Sequence, residues 1–109
     1  MGMRLSALEV EVEIANVVQQ LMEYKPQMII IHGSLVRGDY HEGNDMDLVI
    51  IKETNTRFMD RIYDVLVLVK SKLSVEPLIY TKQEVEIMIK EVNGFIQKVL
   101  AEGRILYGQ

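Results

Sequence analysis

Apolar and polar residues follow two rhythms along this chain, and the changes between them mark its elements. From Leu5 to Tyr24 apolar positions recur at helical spacing. Leu8, Val12, Ala15, Val18 and Met22 form one stripe, and Val10, Ile14, Val17 and Leu21 form a second beside it. Residues 8–14, LEVEVEI, alternate apolar and acidic as a strand would, but the wider window favours the helix. Two adjacent stripes leave only a narrow polar arc, so this helix is expected to pack on two sides or to lie in a subunit interface. Pro26 pushes the residue before it out of helical geometry and separates the helix from the next element.

Gln27 to His32 and Asp47 to Lys52 are short isoleucine-rich runs, the pattern of buried strands. Thr54 or Asn55 is placed to cap a helix running to about Leu73, with Phe58, Ile62, Val65, Leu66, Val69 and Leu73 facing the core. Val75 to Tyr80 reads as a third strand. Its Pro77 has no backbone donor, which puts that strand at a sheet edge or at a bulge. Thr81 and Glu84 form a capping box that opens a helix through Ile87, Met88 and Glu91. Asn93-Gly94 interrupts it, a last helix spans Phe95 to Glu102 with Gly103 as its stop, and Ile105 to Tyr107 makes a short final strand. The order predicts an α/β (α+β) fold, a small mixed β-sheet flanked by helices.

Composition narrows the function classes. The 109 residues fit one domain, 1–109, long enough to bury about two-thirds of the unfolded surface without staples. A hydrophobic content of 49% and a mean hydropathy of +0.09 indicate an ordered chain. The absence of cysteine excludes disulfides, zinc thiolates and a thiol nucleophile, and fits a reducing, cytoplasmic setting. A net charge of −4 and a pI near 5.1 disfavour a general nucleic-acid binder and suit a site that takes its positive charge from metal ions. No apolar run approaches the roughly 20 residues that span a bilayer, and the N-terminus has no signal-peptide core. Met1-Gly2 with Ser6 matches the loose myristoylation pattern, which short sequences match by chance.

The candidate chemistry lies between Ile29 and Ile51, IIIHGSLVRGDYHEGNDMDLVII. Asp45 and Asp47 stand two apart, and on a strand such residues share one face. Two carboxylates so placed can share one divalent cation or bracket two ions about 3.5–4 Å apart, and magnesium prefers such oxygen ligands. Alone, a D-x-D is more often a solvated acidic loop entering a strand. Gly33-Ser34 shifts that balance. At the end of a strand and followed by Leu35-Val36-Arg37, it reads as a tight turn into a helix N-terminus, where free amides and a hydroxyl receive a phosphate. Gly33 and Gly38 have Walker spacing, but Asp39-Tyr40 stand where Lys-Ser/Thr is required, and no G-x-G is present for a dinucleotide fingerprint. Glu76 is a third carboxylate, able to join the aspartates if its strand lies beside theirs, as a metal ligand or as a general base. Arg37 can reach triphosphate oxygens. His32 and His41 are nine residues apart and make no convincing zinc pair, and the seven methionines read as core fillers.

Gly33-Ser34, ten intervening residues and then Asp45-Met46-Asp47, with apolar strands on both sides, resemble the minimal nucleotidyltransferase (MNT) family of the DNA polymerase beta-like nucleotidyltransferase superfamily. The segment 75–81, VEPLIYT, sits where that family carries its third carboxylate strand, and 95–107 is similar to its usual C-terminus. Three positions depart from the family's pattern: Glu76 replaces the common aspartate, Asn44 a serine, and His32 an aromatic before the Gly-Ser. The resemblance implies transfer of a nucleoside monophosphate, AMP from ATP, with two Mg2+ ions. Asp45, Asp47 and Glu76 would hold the metal, Glu76 serving also as base, and Gly33, Ser34 and Arg37 would hold the phosphates. It also implies a HEPN-domain toxin as partner, with a toxin tyrosine as acceptor and this chain as antitoxin. One alternative remains beside it, a catalytically weak or inactive module that neutralises such a toxin by contact; the apolar face of the first helix offers a surface for that partner or for a second copy of the chain in a homo-oligomer.

Overall fold

The computed structural model describes residues 5–38, 40 and 45–108. The myristoylation pattern at Met1-Gly2, together with His41 and Asn44, lies outside the described residues. Helix α1 (Ala7–Leu21) is opened by a reciprocal cap. Ser6 Oγ accepts from the Glu9 amide at 3.0 Å, and the Glu9 carboxylate accepts from the Ser6 amide at 3.0 Å. The stripe of Val10, Ile14, Val17 and Leu21 is buried against the sheet. Of the other stripe, Leu8 is 74% and Val12 48% exposed, while Val18 and Met22 only edge the core. Within the chain the helix therefore packs mainly through one stripe, and the Leu8 and Val12 part of the other faces outward.

Four strands form one sheet: β1 (Met28–His32), β2 (Met46–Ile51), β3 (Val75–Tyr80) and β4 (Arg104–Tyr107), in the spatial order β3-β2-β1-β4. β1 runs antiparallel to β2 and β4, and β2 runs parallel to β3, so the sheet is mixed. β3 is an edge strand, where Pro77 costs no ladder hydrogen bond. One face, with Ile29, Ile31, Leu48, Ile50 and Ile79, packs on α1 and on helix α2 (Phe58–Leu66). The other face, with Ile30, Val49 and Ile51, is covered by helices α3 (Lys82–Lys90) and α4 (Gly94–Glu102) through Val85, Ile96 and Val99.

Two sequence expectations are corrected. The helix expected from Thr54 or Asn55 to about Leu73 is the shorter α2, preceded by Arg57 with no side-chain cap. Thr54 Oγ1 instead accepts from the Thr56 amide at 3.1 Å, closing a local turn. Beyond Leu66, α1 captures the backbone: Gln20 Oε1 accepts from the Lys70 amide at 2.7 Å, and Glu13 Oε1 from the Lys72 amide at 2.7 Å and the Ser71 hydroxyl at 2.9 Å. Amides satisfied this way do not need a helix, and Leu66 is left 45% exposed, not in the core. The second correction concerns Leu35-Val36-Arg37, which does not enter an α-helix. Residues 34–38 form a turn with three successive i→i+3 bonds, Val36 to Gly33, Arg37 to Ser34 and Gly38 to Leu35, at 3.1–3.2 Å. Gly38 at φ +84° then breaks the right-handed run. The capping box at Thr81 and Glu84 is present as read.

Candidate active site

Register assembles the site. His32 on β1 pairs with Asp47 on β2, and Asp47 pairs with Glu76 on β3. Residues directly opposite one another point to the same face, so the three side chains form a row across the sheet. Asp45, two residues before Asp47, comes to that same side. One carboxylate oxygen from each of Asp45, Asp47 and Glu76 lies within 4.8 Å of the other two. The face is the one covered by α3 and α4, but their cover ends at Phe95, whose ring meets His32 edge-on at 5.5 Å and 81°. Past Phe95 the row is open. Asp45 and Asp47 are half-buried and Glu76 is exposed.

Three carboxylates this close repel one another. The charge of Asp45 and hydrogen bonding with it, then the smaller influence of Asp47, push the Glu76 carboxyl above its ordinary range. A divalent cation among them would relieve that repulsion, and carboxylate oxygens suit a hard ion such as Mg2+. These three residues therefore fit a metal. His32 is shifted downward by partial burial, which Asp47 opposes.

The Gly-Ser turn abuts this cluster. Gly33 has φ +84°, and a Cβ there would run into the Asp47 carboxylate. Glycine thus serves two needs, left-handed backbone and close approach. Ser34 is half-buried in the turn, and Leu35 anchors it in the core. Arg37 is exposed and does not sit in the carboxylate row. It lines a hollow of about 190 Å³ together with His32, Gly33, Phe95, Lys98 and Glu102. A second hollow, about 440 Å³, lies on the other side of Phe95 and reaches Asp47, Glu76, Leu78 and, around the β3 edge, Leu66 and Pro77. Phe95, Lys98 and Glu102 were not singled out as site residues from the sequence. The available signal was their i, i+3, i+7 spacing on a helix, which does not say what the helix faces.

Over residues 13–109 the chain matches the family described as Polymerase beta, Nucleotidyltransferase. A protein of Methanocaldococcus jannaschii that carries the provisional name protein adenylyltransferase is 31% identical over 96 residues, covering 87% of this chain and 92% of that one. A crystal structure of a provisionally named nucleotidyltransferase from Sulfolobus solfataricus aligns with a TM-score of 0.55 and 18% identity, over 99% of this chain and 94% of that one, and so shares the fold. Fold and sequence together define a nucleotidyltransferase. The chain belongs to the polymerase beta nucleotidyltransferase family.

Proposed function

We propose that this chain transfers AMP from ATP, with magnesium, to a hydroxyl on a protein. We further propose that the acceptor is a tyrosine of a HEPN-domain toxin, to which this chain is the antitoxin. The observation that carries the reading is the convergence of Asp45, Asp47 and Glu76 within 4.8 Å, beside the Gly33 turn. The adenylyltransferase name of the archaeal relative supports AMP as the transferred group and a protein as acceptor.

In this reading Asp45, Asp47 and Glu76 hold the metal, two Mg2+ ions, and Gly33, Ser34 and Arg37 hold the phosphates. Bound magnesium would neutralise phosphate charge and favour attack at the α-phosphorus. The acceptor oxygen bonds to that phosphorus, its proton passes to Glu76, and the bond to the β-phosphate oxygen breaks to release pyrophosphate. Isothermal calorimetry tests the site. ATP binding is expected to require magnesium and to disappear in the double variant Asp45→Asn/Asp47→Asn. Magnesium-independent binding, or binding that survives the double substitution, rejects it.

The outward stripe of α1, with Leu8 and Val12, favours a second reading in which contact alone neutralises the toxin. Co-expression separates the two. Full neutralisation by the double aspartate variant would leave contact sufficient, whereas a complex that forms without neutralising would require the chemistry.

A further inference from the structure

Lys98 belongs to no motif, yet the fold carries it to the site. Helix α4 presents Phe95, Lys98 and Glu102 along one stripe, and this stripe walls the smaller hollow. The opposite wall is Gly33 and Arg37, from the turn after β1. Two cations from separate elements thus bound one hollow in a chain of net charge −4. On the other side of His32 and Phe95 lie the three carboxylates.

This separation of charge matches the two ends of a metal-bound triphosphate. The carboxylates would hold the metal, and the cations of the hollow would meet the phosphate charge that the metal leaves unneutralised. We propose that Lys98, with Arg37, binds the β- and γ-phosphates of the nucleotide and the departing pyrophosphate in this hollow. The inference rests on the reading of the carboxylate cluster as the site of nucleotidyl transfer. A lysine suits the place because its ammonium is a mobile point charge that can follow phosphate oxygens without fork geometry. Glu102, one turn farther along α4, faces the same hollow, and its charge opposes a polyphosphate.

Equilibrium binding of the whole chain in magnesium buffer tests this, with ATP, AMP and inorganic tripolyphosphate as probes. Lys98→Met is expected to weaken ATP and tripolyphosphate about tenfold and to leave AMP unchanged. Lys98→Arg should retain most of the affinity, and Glu102→Gln should tighten ATP. Lys98 is exposed, so an unchanged melting midpoint should accompany the loss. If Lys98→Met binds ATP as tightly as the parent chain does, or loses ATP and AMP in equal ratio, the assignment of Lys98 is overturned while the site reading stands. If the parent chain binds none of the three probes, the site reading itself falls and takes this inference with it.

Discussion

At the scale of single residues, backbone conformation decides more than side-chain character does. Gly33 is favoured by its φ of +84°, and a Cβ there would also displace the Asp47 carboxylate, needs that the Gly-Ser motif alone attributes to phosphate approach. Val92 shows the opposite case. It sits at φ 55°, in left-handed geometry, at the end of α3, where its amide bonds to Ile89 O at 3.1 Å and the Asn93 amide to Met88 O at 2.9 Å. That is the helix-ending arrangement that glycine normally occupies, and a β-branched residue is strained there. The residue is 71% exposed, so little burial would be lost on truncation. Val92→Gly is therefore expected to stabilise the fold by about 0.5–1 kcal/mol, read as a raised denaturation midpoint at constant slope. An unchanged or lowered midpoint would mean that the valine makes a contribution the backbone argument misses.

At the scale of elements, buried polar side chains join what the apolar stripes only pack. Arg61 on α2 is 6% exposed and donates to both Glu84 oxygens at 2.6 and 3.1 Å, to Ile79 O at 3.1 Å and to Thr56 O at 2.7 Å. It thereby ties α2 to β3 and to the start of α3. The Arg61 guanidinium holds the Glu84 carboxyl below its ordinary value of 4.5, with further help from the Thr81 cap. Because the folded state favours the ionised carboxylate, this stabilisation is present above the ordinary glutamate range and is lost as pH falls through the lowered value. Glu84 is partly open to solvent, so screening limits the pair, while leaving Arg61 buried without its partner adds to the loss. Glu84→Gln is expected to cost about 1–2 kcal/mol near pH 7, and the gap to the parent chain should close at acid pH. Melting midpoints measured from pH 3 to pH 7, as a usual working span for carboxylate titration, check this. A gap that stays constant across the series would show that the ion pair is not its source.

At the scale of the whole molecule, function is divided between two surfaces. The site opens on one sheet face, where α4 ends its cover at Phe95, with the hollows on either side of that ring. The exposed stripe of Leu8 and Val12 lies on α1, which packs against the opposite face. Among the described residues no helix is long and apolar enough to cross a membrane, so that stripe is not part of a membrane-spanning helix. If it receives the protein partner, Leu8→Glu/Val12→Glu should preserve the melting midpoint and magnesium-dependent ATP binding. The same variant should lose co-purification with a HEPN-domain partner. Retained co-purification would place the partner elsewhere.

The sequence by itself determined the strands, the capping box at Thr81 and the candidate residues Gly33, Ser34, Arg37, Asp45, Asp47 and Glu76, and it narrowed the Pro77 strand to an edge or a bulge, between which the sheet order chose the edge. These come from local rules: period, cap chemistry and a missing donor act within a few residues. Only the tertiary structure decided where α2 ends, because Glu13 and Gln20 act on a loop that lies far along the chain. Only the parallel pairing of β2 with β3 set Glu76 opposite Asp47, since a one-residue slip would have turned it to the other face. Lys98 was invisible for the same reason. Its spacing along α4 was legible, but the direction that stripe faces depends on how α4 packs over Ile30 and Val49, a contact between segments far apart in the chain.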